Sequence, residues 1–149
     1  MNDEYFMNQA IALAKEAAEE GEVPVGAVVV LDGKIVGKGR NRREISKNAL
    51  AHAEIEAINE ACRALGGWRL WQCDMYVTLE PCPMCTGAII NSRIKRLVYG
   101  ASDYKAGSCG SVVDLFSLPY NHKPEVVSGV MQEECAVLLT DFFKKLRKK

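Results

Sequence analysis

The chain has 149 residues, a formal net charge of zero and 48% hydrophobic residues, proportions that fit one ordinary globular domain with a single core. No apolar run approaches the roughly 18 residues needed to span a membrane, and the opening MNDEYFMNQA has neither the basic start nor the apolar stretch of a secretion signal. The expectation is one domain over residues 1–149, cytoplasmic, with no membrane association. The balanced total says nothing about nucleic acid, but the placement of charge says more. Acidic residues crowd positions 1–22, Lys34, Lys38, Arg40, Arg42, Arg43 and Lys47 crowd positions 34–47, and Lys144, Lys145, Arg147, Lys148 and Lys149 close the sequence. Such runs are ordinarily solvated surface, and they also suit a local phosphate-binding face.

In chain order, residues 3–20 read as an amphipathic helix: Phe6, Met7, Ala10, Ile11, Ala14, Ala17 and Ala18 recur at three and four, and Gly21 ends the run. VGAVVV and KIVGKG flank Asp32-Gly33, a pair that supplies the positive φ angles of a tight hairpin turn. Residues 52–65 return to helical period through Ile55, Ile58, Cys62 and Leu65 and stop at Gly66-Gly67. MYVTL at 75–79 is a buried strand, Pro83 starts a short helix, and RLVYGA at 96–101 is the next strand. After the loop SDYKAGSCGS, one or two helical turns are expected at 112–118, a strand at 125–130 and a final helix from Gln132. This alternation predicts a three-layer α/β/α sandwich with a mixed five-stranded sheet, parallel wherever a helix crosses over.

Of the six cysteines, Cys62 and Cys135 sit in apolar helical patterns and read as small core residues, and Cys73 and Cys109 are uninformative. Cys82 and Cys85 have metal-ligand spacing, and with His52 they make three soft or borderline donors. No second C-x-x-C exists and His122 is the one other histidine, so an open catalytic site is simpler than a closed structural one. Helix N-termini favour thiolates, and Pro83 puts both cysteines at such a terminus. His52 and Glu54 are two apart, which on a regular helix would aim them apart. They converge only if His52 lies at the irregular start of its helix, and that is the expectation. C-x-x-C could also be a redox pair, and H-x-E occurs by chance.

HAE followed by PCPMC matches the known H-x-E…P-C-x-x-C signature of zinc-dependent cytidine and nucleobase deaminases. VPVGAVVV, GRNRR, AHAEIEAI, YVTLEPCPMCTGAII, VYGASDYKAGSCGS and ECAVLLTDFF extend the likeness over roughly residues 5–146. The chain therefore resembles the bacterial tRNA-specific adenosine deaminases of the cytidine/deoxycytidylate deaminase superfamily. The resemblance implies a cytidine deaminase-like fold and one zinc per subunit on His52, Cys82 and Cys85, with Glu54 as the proton shuttle. The implied reaction is hydrolysis of adenosine to inosine at the wobble position of an arginine tRNA anticodon. It implies a homodimer with a shared RNA groove and no organic cofactor. It assigns RNA or base contacts to Asn41, Asp103, Lys105 and Asn121. Of the adjacent Phe142 and Phe143, one is expected in the core and the other beside the RNA, with Phe143 as the candidate. His122 carries no assigned role. Two other readings stand beside this one: a free nucleobase or nucleoside deaminase acting on guanine, cytosine or cytidine, and a non-catalytic zinc-stabilised RNA-binding module. The second would need no Glu54 and would close its zinc with a fourth ligand.

Overall fold

Asp32 and Gly33 both take positive φ, 50° and 76°, and fold β1 (Gly26–Leu31) against β2 (Lys34–Arg40) as an antiparallel hairpin. The computed structural model describes residues 2–147. Around the hairpin stand α1 (Asp3–Glu19), α2 (Ala53–Leu65), β3 (Asp74–Leu79), α3 (Pro83–Ser92), β4 (Arg96–Ala101), a 3-10 turn (Leu115–Ser117), β5 (Glu125–Val127) and α4 (Gln132–Arg147). The sheet runs β2-β1-β3-β4-β5. The β3–β4 and β4–β5 pairs are parallel and β1 is antiparallel to both its neighbours, so β2, β3 and β4 all point the same way. The mixed five-stranded sandwich expected from the alternation is the one observed.

Period-two alternation along the central strands feeds two cores. Ala27, Val29, Met75, Val77, Leu97 and Tyr99 face α2 and α3. Val28, Val30, Tyr76 and Val98 face Phe6, Met7, Ala10 and Ile11 of α1 and Cys135 of α4. Helices approach the hairpin closely because glycines clear the way. A Cβ on Gly39 would lie 2.1 Å from the Ala53 carbonyl, and one on Gly37 2.2 Å from that of Ala57. At one end of the sheet, Asp3 receives Tyr76 Oη at 2.7 Å and both Arg96 amino groups at 2.9 and 2.7 Å, which pins the start of α1 to β3 and β4.

Some boundaries differ from the expectation. The fifth strand ends at Val127 instead of residue 130, because Gly129 and Met131 turn at φ 80° and 55° into α4. The helical turns expected at 112–118 shrink to the 3-10 turn, capped where Asp114 Oδ1 accepts from Phe116 N. Cys135 is buried as expected, whereas Cys62 is half-buried at the edge of α2. Lys148 and Lys149, the last of the basic tail, lie outside the described residues.

Candidate metal centre and active site

Three co-directional strands open on one end of the sheet, where α/β folds build ligand sites. β2 leads to His52, β3 leads to Cys82 and Cys85, and β4 leads into the 103–111 loop. His52 is the N-cap of α2, with extended backbone (φ −82°, ψ 154°) and no side-chain capping bond. It therefore lies outside the helical spacing, as the His52–Glu54 pair requires, and its ring is free to turn inward. Cys82 is the N-cap of α3 at φ −75°, ψ 176°, followed by Pro83 at the first helical position. Cys85 sits in the first turn and is fully buried. Both thiols lie 3.6 Å from His52 Nδ1, and the three donor atoms all fall within 4.8 Å of one another.

The electrostatics of the trio suit a cation. The hydrogen bond from Cys85, supported by His52, pulls the Cys82 thiol down to about 4, against the effect of burial. Cys85 is pushed up, first by sharing its proton with Cys82 and then by burial. His52 is raised, chiefly by its hydrogen bond to Cys82. One imidazole nitrogen and two sulfurs crowd one point, a donor set for a borderline-soft ion. Among the described residues this is the one group of His, Cys, Asp or Glu compact enough to hold a metal. Among the described residues no fourth His, Cys, Asp or Glu joins it.

Glu54, in the first turn of α2, is 4% exposed. Burial raises its carboxyl to about 7, which puts protonated and ionised forms at comparable populations near neutral pH, as a general acid–base needs. His52, Glu54 and Cys82 share a cavity of about 170 Å³ with Val23, Val25, Asn41, Arg43, Ala53, Leu79, Glu80, Asp103 and Ala106.

The structure gathers some of the expected contact residues and disperses others. Asn41 and Asp103 line the cavity. Asn41 donates to Val23 O at 3.2 Å and accepts from Arg43 N at 3.2 Å, so its amide is fixed in orientation. Lys105 is exposed on the loop beyond Asp103. Asn121 is exposed beside a separate hollow along α3, lined also by Met84, Gly87 and Tyr120. Phe143 is 40% exposed on α4, edge-on to a half-buried Phe142 at 5.4 Å. Neither ring belongs to the buried core, where one was expected. His122 Nε2 meets Ile94 O at 2.7 Å, a structural contact away from the trio.

Two residues escaped the sequence reading. Glu80 and Glu22 are 2% and 1% exposed. Burial pulls Glu80 upward, yet bonds from Ser111, Asp103 and Cys109 outweigh it and hold the carboxyl below its ordinary value. The available signal was an acid closing the apolar strand MYVTL just before Pro81.

The MafB19-like deaminase family model matches residues 1–147. The chain belongs to this deaminase family. It is 51% identical over 148 residues to a tRNA-specific adenosine deaminase of Bacillus subtilis strain 168, spanning 99% of this chain and 92% of that protein. A structure from studies of A-to-I editing by tRNA:A34 deaminases at the wobble position of transfer RNA superposes at TM-score 0.88 with 48% identity, covering 91% of this chain and 99% of that one. A guanine deaminase from Bacillus subtilis superposes at TM-score 0.68 with 35% identity, covering 100% and 96%.

Proposed function

We propose that this chain is a zinc-dependent hydrolase that deaminates adenosine to inosine at the wobble position of a tRNA anticodon, with arginine tRNA as substrate. The observation that carries the chemistry is the His52–Cys82–Cys85 trio with buried Glu54 on the wall of one cavity. The substrate follows from the tRNA-specific adenosine deaminase at 51% identity and from the structure of the wobble-position tRNA:A34 deaminase studies at 48%, each over almost the whole chain.

His52, Cys82 and Cys85 would hold the zinc, one ion per subunit. Bound there, zinc would supply Lewis acidity, lowering the pKa of a water from about 15.7 toward about 7. The chain's own residues then do the rest. Glu54 accepts a proton in the cavity, passes it to ring N1 of the base and serves the departing ammonia, a role its near-neutral carboxyl suits. Asn41, its amide held by two backbone bonds, presents a fixed edge to the adenine. Asp103 at the cavity rim and Lys105 outside it face the flanking nucleotides. Asn121 and Phe143 lie outside the cavity, as contacts to an extended RNA would. The protein works in the cytoplasm as a homodimer and uses no organic cofactor. Support for a partner subunit comes from the hollow of about 670 Å³ along α3, where Leu50, Ile55, Met84 and Ile90 are left incompletely covered.

The 35% identical guanine deaminase keeps free bases in view as a second reading. One assay separates them. The zinc-loaded protein is incubated with an arginine tRNA anticodon stem-loop bearing A at the wobble position and, in parallel, with guanine, adenosine and cytidine. Inosine in the stem-loop alone, absent with Glu54→Ala, is the expected result. Turnover of a free base or nucleoside with an unmodified stem-loop overturns the substrate. Zinc binding with no turnover of any of them points to a binding module.

A further inference from the structure

Glu80 is a carboxylate buried to 2% exposure at the end of β3, and among the described residues no Lys or Arg ion-pairs with it. A charge in that position is tolerable only if donors surround it. They do, and all of them come from one loop. Oε1 accepts from Asp103 N at 3.0 Å and from the Ser111 hydroxyl. Oε2 accepts from Cys109 N at 3.0 Å and Ser111 N at 3.1 Å. Four donors occupy the carboxylate's four lone-pair directions, so although Glu80 borders the cavity it has no acceptor left for a substrate.

The loop is shaped to receive it. A Cβ on Gly107 would fall 2.4 Å from the Glu80 carboxyl carbon and 2.4 Å from Asp103 O, so the carboxylate nests where a side chain would otherwise stand. Gly110 takes φ 142°, open to glycine alone at low cost, between the Cys109 and Ser111 donors. Asp103 is fixed in turn, its Oδ1 accepting from Lys105 N at 3.0 Å and Ala106 N at 3.3 Å. Asp103 and Ala106 are the two loop residues that line the cavity.

We propose that Glu80 is a positioning residue for substrate selection: its buried carboxylate is the anion around which the 103–111 loop folds, and it thereby sets the wall of the cavity formed by Asp103 and Ala106. It acts on how the RNA is held, not on the metal or the proton transfer. The proposal rests on the tRNA deaminase reading for its substrate, and on nothing but hydrogen bonds and close approach for the clamp.

The test uses full-length zinc-loaded protein carrying Glu80→Gln or Gly107→Ala. The glutamine leaves one acceptor and turns an NH2 toward amides that themselves donate. The alanine keeps the carboxylate and removes its seat. Both variants are expected to raise KM for the anticodon stem-loop about tenfold, the effect of one unpaired buried group. kcat should change less than about threefold and zinc content should stay at wild type. Amide exchange should quicken across 103–111 and stay unchanged across α2. The double variant should be no worse than the poorer single. Loss of zinc, a fall in kcat at constant KM, or unchanged exchange in the loop each overturns the proposal. If the wild-type protein leaves the stem-loop unmodified, the substrate reading fails. In that case quickened exchange in both variants still upholds the clamp, and unchanged exchange sinks it as well.

Discussion

Replacing Gly39 by alanine tests how closely the active site depends on a helix resting on bare backbone. The new Cβ would sit 2.1 Å from Ala53 O, 2.7 Å from Ala57 N and 2.8 Å from Glu56 Cβ. Real Cβ contacts stay beyond 3.0 Å, and the obstacles include backbone, so no rotamer relieves the clash. α2 must retreat by about 1 Å or β2 must bend. Overpacking of this kind typically costs about 1–3 kcal/mol. The residues displaced are also the chemical ones, because Ala53 lies between His52 and Glu54. A misplacement of about 1 Å can cost about 10²-fold in rate. Urea unfolding and kcat/KM are measured beside a control, Gly67→Ala, where an added Cβ meets nothing within 4 Å. The expected outcome is a loss in both measurements for Gly39→Ala and neither for Gly67→Ala. A Gly39→Ala protein within about 0.5 kcal/mol and about threefold of wild type would refute the argument that this contact fixes the site.

Glu54→Gln should retain zinc and lose about 10² to 10⁴-fold in kcat, since only the proton carrier is removed; single-turnover kinetics with metal analysis checks it. Cys82→Ser should lose both metal and turnover, and chelation of the wild type should lower its thermal midpoint, because bound metal adds to folding free energy. Asp3→Asn should cost about 1–2 kcal/mol at pH 7, reduced from a fully buried charged bond by partial exposure. The Arg96 guanidinium holds the Asp3 carboxyl below its ordinary value. Its contribution is therefore present above the unfolded pKa and fades as pH falls through the lowered folded one, so the gap to Asp3→Asn should narrow as pH drops below the ordinary carboxylate range in denaturant titrations. Glu22 accepts from Glu44 N at 3.2 Å and Ile45 N at 2.7 Å; Glu22→Gln should quicken amide exchange at those two residues and spare the zinc.

The architecture was legible because each element announced its period and its ends: three- and four-residue spacing in α1, alternation in the strands, Asp32-Gly33 at the turn, Gly66 at φ 71° closing α2. The metal trio was legible because its chemistry demands particular residue types, and the irregular placement of His52 followed from the two-residue gap to Glu54. What stayed hidden was fixed by tertiary contact alone. Nothing local distinguishes Gly39 from a flexible strand glycine until Ala53 O is seen against it. Glu22 and Glu80 look like ordinary surface acids until the loops that bury them are in place. β5 is shorter than its apolar pattern suggests because Val130 carries that pattern into the turn at Gly129 and Met131, where its N–H still donates to Tyr99 O.

These hidden residues divide the site in two. The trio and Glu54 are seated on helix starts, where α2 and α3 pack against the sheet. The cavity walls are loops: 41–51 bound through Glu22, and 103–111 bound through Glu80. A fold partitioned in this way can exchange its substrate by changing loops while leaving the reacting groups where they are. The likeness to a guanine deaminase along the full chain, at 35% identity, fits that partition. Changes at Asn41, Arg43, Asp103 and Ala106 should therefore shift the choice of base or its flanking nucleotides, whereas changes at Gly39 or Cys82 should lower turnover of every substrate alike.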